Sequence, residues 1–103
     1  MIYKLIVAGK AKRHLENLVN YLLYVIQNRQ AASHLLKEIK VIYVRLKENP
    51  EQFPYCQDIN LKEKRYRKAV LSTMNYTVVF KIEETTVYVV GIFHDSENYS
   101  DKL

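Results

Sequence analysis

Two groups of side chains in this sequence could do chemistry. Residues 62–68, Lys-Glu-Lys-Arg-Tyr-Arg-Lys, hold five basic groups and one acid, while the remaining chain has 11 basic and 10 acidic residues, so nearly all of the net charge of +5 sits on one short segment. Lys62, Lys64, Arg65, Arg67 and Lys68 could together grip a polyanion, RNA being the best fit. The second group lies between Gly91 and Leu103, where His94 and Tyr99 stand five residues apart. An imidazole titrates near neutral pH and can serve as acid or base; a phenol can stack on a base or help place a phosphate. Each feature also has a plainer reading. A basic run is commonly a solvated face, a histidine can close a strand with its hydrogen bonds met, and a tyrosine can pack a tail.

Other chemistries lack their residues. The two glycines, Gly9 and Gly91, are too few for a phosphate-cradling loop. One cysteine, Cys56, and three scattered histidines, His14, His34 and His94, do not give structural-zinc spacing, so no metal and no cofactor is expected. No strained nucleophile turn surrounds any serine.

The elements that must carry these groups are legible in the periodicity. Ile2 to Val7 is β-branched and aromatic with little polarity, which predicts a strand buried on both faces, inside a sheet. From Lys10 the period changes. Ala11, Leu15, Leu18, Leu22 and Ile26 recur at helical spacing, Asn28 offers a stop, and Ala32, Leu35, Leu36, Ile39, Tyr43 and Leu46 mark a second helix ending before Asn49-Pro50. Residues 49–61 show no clear period and read as a loop. Three strands then follow: Tyr66 to Leu71; a second with Tyr76, Val78, Phe80 and Ile82 on one face; a third with Val87, Val89, Gly91 and Phe93 on one face. Turns fall at Ser72 to Asn75 and Glu83 to Thr85, although glutamate is unusual in the tightest hairpin turns.

The order is β-α-α-β-β-β, with a helical hairpin on one face of the sheet and the second face free. On the basic strand, Arg65, Arg67, Ala69 and Leu71 should point one way and Tyr66, Lys68 and Val70 the other. That alternation would set the two arginines side by side, roughly 7 Å apart, close to the spacing of successive phosphates.

A chain of 103 residues, 49% hydrophobic and 26% charged, suits one domain over residues 1–103 with its own core. A lone cysteine excludes an internal disulfide and points to a reducing compartment. No run approaches the roughly 20 apolar residues of a membrane span. The expected location is the cytoplasm.

Taken in order, Ile2-Tyr3-Lys4-Leu5, the paired helices before Pro50, Tyr66-Arg67-Lys68, Asn75-Tyr76-Thr77-Val78-Val79-Phe80 and His94 with Tyr99 resemble the RelE/ParE toxin superfamily over nearly the whole chain. The resemblance implies an α+β fold with a helical hairpin on a mainly antiparallel four-stranded sheet. It also implies the toxin of a type II toxin-antitoxin module, held inactive in a hetero-oligomer by a cognate antitoxin. RelE-like members cut messenger RNA in the ribosome through the RNA's own 2′-hydroxyl, whereas ParE-like members poison DNA gyrase. For the first activity the resemblance implies a catalytic set of Arg67, Arg65, His94 and Tyr99, with Lys62, Lys64 and Lys68 binding RNA. Two positions depart from the nuclease pattern. Thr77 stands where RelE-like nucleases carry an arginine, and Asp95, Ser96 and Glu97 occupy a stretch where many relatives place one. Three readings follow: a ribosome-dependent endoribonuclease, a gyrase poison that cleaves nothing and engages its target through the helical hairpin or the tail, and an inactive antitoxin-binding relic.

Overall fold

The structure is a computed structural model that describes residues 2–103; of the expected domain, Met1 lies outside them. Strand β1 (Lys4–Val7) leads into helix α1 (Gly9–Asn20), which runs on through one π-helical turn (Tyr21–Val25). Helix α2 (Arg29–Glu48) returns alongside, and a short helix α3 (Ile59–Glu63) precedes strands β2 (Arg67–Val70), β3 (Tyr76–Glu83) and β4 (Thr86–His94). The sheet order is β1-β4-β3-β2, with β1 parallel to β4 and the other pairs antiparallel. The architecture is therefore the expected one: helices against a mainly antiparallel four-stranded sheet.

Strand β1 sits at an edge rather than inside the sheet. Its apolar character has another cause: Leu5 and Val7 pack on the main core, and the end of α2 covers the chain beside it, Tyr3 N–H donating to the Lys47 carbonyl at 2.8 Å.

The hairpin departs from the predicted stripes in two places. Spacings of four from Leu18 to Leu22 to Ile26 exceed the 3.6-residue period, and the chain absorbs the excess by widening into the π turn, where Ile26 N–H donates to the Tyr21 carbonyl at 3.0 Å. Leu22 remains buried, but Ile26 is left 50% exposed. In α2 the buried set is Ala32, Leu35, Ile39, Ile42 and Leu46. Alternating steps of three and four keep that stripe narrow, so Leu36 falls outside it and Tyr43 is only partly buried. Asn28 caps α2, its side chain accepting from Ala31 N–H at 3.0 Å.

The expected loop at 49–61 is partly ordered. Pro50–Gln52 forms a 3-10 turn, and Asp58 caps α3 by accepting from Leu61 N–H at 3.2 Å. Through Leu61, α3 covers part of the sheet face turned away from the hairpin, together with Cys56, Val79, Phe93, Tyr99 and Leu103. That face is therefore half covered, not free.

One extra residue in β4 decides which side the chain's last segment takes. Val79 of β3 lies opposite Gly91 while Phe80 lies opposite Val89, leaving Val90 as a bulge. Up to the bulge, Val87 and Val89 face the helices. Beyond it Ile92 faces them and Phe93 joins the second core, so the predicted common face for Val89, Gly91 and Phe93 is broken. A Cβ at Gly91 would stand 2.3 Å from the buried Phe93 ring, so this position admits no side chain without moving that ring.

Glu83 pairs with Thr86, so the β3–β4 hairpin turns on Glu84 and Thr85, and Glu84 is held at φ 55. A left-handed conformation at a residue other than glycine costs about 1–3 kcal/mol. Glu84→Gly should therefore raise the thermal midpoint by a few degrees, as followed by circular dichroism; an unchanged or lower midpoint would show that the turn stores no strain.

Candidate functional site

The residues singled out from the sequence fall into four separate places. Arg65 lies outside β2, in the link from α3, with φ 63 and an exposed side chain. A left-handed residue breaks the alternation that strands impose, so the expected pairing of Arg65 with Arg67 on one strand face does not form. Lys62 and Lys64, at the end of α3, are exposed beside it.

Arg67 belongs to β2 but faces the same side as Ala69 and Leu71, toward the helices. Its guanidinium donates to the Phe53 carbonyl at 2.7 Å and the Glu51 carbonyl at 3.3 Å and lies 4.1 Å from the centre of the Tyr55 ring. Those contacts tie the returning segment onto the edge of the sheet, where Lys68 N–H also donates to the Pro54 carbonyl at 3.0 Å. Arg67 is thus bound to backbone that would otherwise lack a donor.

His94 also faces the helices, at the opposite corner. It is in register with Tyr76 on β3 whereas Arg67 is in register with Phe80. Four residues along a strand is about 13 Å, and the crossing from β2 to β4 adds about 10 Å sideways. The imidazole meets the Tyr76 ring edge-on at 5.2 Å in a hollow of about 490 Å³ shared with Leu18, Tyr21, Leu22 and Ile26. Its Nδ1 accepts from the Ser96 backbone N–H at 3.1 Å, which places the ring proton of the neutral form on Nε2.

Lys68 and Tyr99 share the other sheet face. With Val70, Thr77 and Asp95 they line a hollow of about 240 Å³. Tyr99 stacks on Phe93 at 5.0 Å, and burial raises its phenol above the ordinary value, with Cys56 and Asp95 adding to the shift. Buried Thr77 donates its hydroxyl to Asp95 at 2.6 Å. The two departures from the nuclease pattern thus meet in one hydrogen bond, beside Lys68 and Tyr99.

This hollow offers one ammonium, one carboxylate and a phenol that holds its proton. It can receive a single phosphate oxygen at Lys68, but Asp95 opposes a polyanion and no guanidinium lines the hollow. Among the described residues no three His, Cys, Asp or Glu side chains come together to hold a metal. No helix there is long and apolar enough to cross a membrane.

The end of the chain is fixed by charge. Glu97 accepts from His94 N–H at 2.8 Å and from the Lys102 ammonium at 2.9 Å, and Lys10 reaches the Lys102 carbonyl. Burial alone would raise the Glu97 pKa, but Lys102 and the His94 N–H outweigh it and hold the carboxyl below its ordinary value. Nearby, His14 Nδ1 accepts from Ile92 N–H at 3.3 Å, and its pKa is lowered by burial and by Lys10, against the opposing charge of Glu97. No periodic signal in the sequence announced His14 as a partner of β4. Only the bulge, by freeing that N–H to turn toward α1, brings the two together.

The chain is thus a small α+β protein with a helical hairpin on one sheet face and α3 with Tyr99 and Leu103 of the tail on the other. The model of the ParE toxin of the type II parDE system matches residues 5–99, and this chain belongs to that family. Among solved structures it is similar to the chromosomal ParDE system of P. aeruginosa, with a TM-score of 0.74 and 14% identity over 90% of this chain and 96% of that one. It is also similar to the toxin-antitoxin complex RelBE2 of Mycobacterium tuberculosis, with a TM-score of 0.61 and 13% identity over 91% of this chain and 99% of that one. No curated protein matches the sequence.

Two tests separate positioning from chemistry. Arg67→Ala leaves the Phe53 carbonyl short of a donor and should cost about 1–3 kcal/mol in urea unfolding; an unchanged midpoint would free Arg67 for another role. Acidification should lower the thermal midpoint in two stages. The folded state disfavours protonated His14, so its contribution is present above about pH 6.5 and fades as pH falls toward its depressed folded pKa. Glu97 contributes above its unfolded value of about 4.5 and is lost as pH falls through its lower folded pKa. His14→Gln should remove the first stage and Glu97→Gln the second; persistence of both stages in the double variant would assign them elsewhere.

Proposed function

We propose that this toxin arrests growth by binding DNA gyrase and that it cleaves no nucleic acid. It acts as one domain in the cytoplasm and is neutralised in a hetero-oligomer by a cognate antitoxin. The observation that carries this reading is the separation of the cations from the imidazole. Cutting RNA requires a proton acceptor, a donor for the leaving oxygen and cations at the phosphate, all within hydrogen-bond reach of one another through the substrate. Here Arg67 is bound to two carbonyls, His94 lies at the far corner of the hairpin side, and Lys68 with Tyr99 is on the opposite face. A binding poison needs none of that alignment. It needs only an exposed surface of fixed shape, which the hairpin supplies. The family to which the chain belongs favours the same target, since ParE-like members act on gyrase.

Purified toxin added to gyrase, relaxed plasmid and ATP should suppress supercoiling in proportion to toxin, while primer extension on messages in translating ribosomes shows no new ends. His94→Ala and Tyr99→Phe should remain toxic on expression without antitoxin. Cut messages that disappear in His94→Ala, with supercoiling intact, would instead establish the ribosome-dependent endoribonuclease. Absence of growth arrest altogether would leave the antitoxin-binding relic.

A further inference from the structure

The hollow beside His94, about 490 Å³, lies where the hairpin turns over the start of β3 and the end of β4. Its size falls within the roughly 300–1,000 Å³ of small-molecule pockets. One part of its lining is apolar: Leu18 of α1, with Leu22 and Ile26 at the π-helical turn, where Ile26 stays half-exposed instead of joining the core. The rest carries hydrogen-bond donors. Tyr76 and His94 meet edge-on and Tyr21 lines the same space. Among the described residues, no protein group accepts from the Tyr21 or Tyr76 hydroxyl or from His94 Nε2, whose ring is oriented by Ser96 at Nδ1. Burial raises the Tyr76 phenol above its ordinary value, with Tyr21 adding to the shift, so Tyr76 keeps its proton at neutral pH. The carboxylate of Glu97, also in the lining, is already engaged by the Lys102 ammonium and the His94 N–H.

We propose that this hollow binds a small, uncharged aromatic molecule whose carbonyl oxygen accepts from the donors of Tyr21, Tyr76 and His94 and whose rings lie on Leu18, Leu22 and Ile26. Three properties of the lining select that chemistry. Donors without partners favour an acceptor, since each gains a hydrogen bond when one arrives. Aliphatic side chains next to two phenols and an imidazole favour a flat ring, which buries apolar area and meets the aromatic edges. Charge disfavours ions of either sign. No lysine or arginine lines the hollow, so an anion meets only the field of Glu97, and a cation finds that carboxylate already paired with Lys102. A ligand seated here touches both the hairpin turn and the sheet, and so stabilises the folded chain whichever target the toxin reaches.

The probe is coumarin, two fused rings with one lactone carbonyl. Its comparators are chroman, which lacks the carbonyl, and coumarin-3-carboxylate, which adds a negative charge. Each is titrated into the full-length, isotope-labelled toxin while backbone amide resonances are followed by NMR. Coumarin should shift the amides of Tyr21, Leu22, Ile26, Tyr76 and His94 and bind about threefold or more tightly than either comparator. Tyr76→Phe keeps the ring and removes one donor, so it should weaken coumarin about threefold or more and leave chroman unchanged. Ile26→Glu, at a half-exposed position the fold tolerates, should abolish binding of coumarin. Leu36→Glu, in the separate groove between α1 and α2, should have no effect. Circular dichroism confirms that each variant is folded. Coumarin that binds no better than chroman, or as well to Tyr76→Phe as to wild type, overturns the proposal. So does tighter binding of the carboxylate, or a set of shifted amides centred on Leu36 and lost in Leu36→Glu.

Discussion

The placement of His94, Phe93 and Tyr99 depends on one backbone irregularity in β4. This strand is central: it pairs in parallel with β1 and antiparallel with β3, and α1 packs across it. A regular strand would keep the inward alternation of Val87 and Val89 through to Phe93. The additional residue at Val90 reverses the alternation, and it is tolerated because Gly91 has no Cβ to collide with the Phe93 ring. As a result Phe93 turns to the outer face and provides the platform on which Tyr99 stacks, while His94 turns inward to Tyr76. The bulge thus creates the second core and, by the same move, separates His94 from Tyr99.

The second core in turn explains why the outer sheet face is a structural surface in this chain. Leu61 and Cys56 reach it because α3 is capped by Asp58 and the returning segment is stitched to β2 by backbone bonds to Tyr66 and Lys68 and by the Arg67 guanidinium. An arginine in that position satisfies carbonyls at a sheet edge and blunts it as a template for unwanted pairing. Burial around Cys56 raises its thiol pKa, so this cysteine packs as a small apolar group rather than acting as a nucleophile.

How far the sequence revealed all this varies with the kind of signal. Helix and strand identity were legible because apolar period is a local property: β3 and β4 begin and end close to where their alternation does, and Asn28 and Asn49-Pro50 bound α2 as expected. Features set by a single residue against its period were not. The π turn hides in two spacings of four that also fit an ordinary helix. The bulge hides in Val-Val-Gly, which reads equally as continued strand. The helix at Ile59–Glu63 is too short to show a period, and only Asp58 as its cap could have signalled it. The site suffered most, because side-chain direction on a strand inverts with each one-residue error. One left-handed residue at Arg65 removed one arginine, and one bulged residue in β4 sent the histidine to the other face.

The charge distribution carries the same lesson into function. Along the chain the basic run at 62–68 stands out because its cations are contiguous, yet electrostatic potential sums over space and not over sequence. In the folded chain those five cations share a body with as many acids as bases, several of them on the tail that folds back over the same sheet: Asp95, Glu97 and Asp101. The hairpin has no such compensation, since its eight basic residues are diluted along two helices and meet only three acids. A diffuse cationic face offers many weak contacts, each screened by salt. A concentrated phosphate grip would call for the opposite arrangement. The fold therefore moves the positive field from the segment where it is densest in sequence to the surface where it is least opposed.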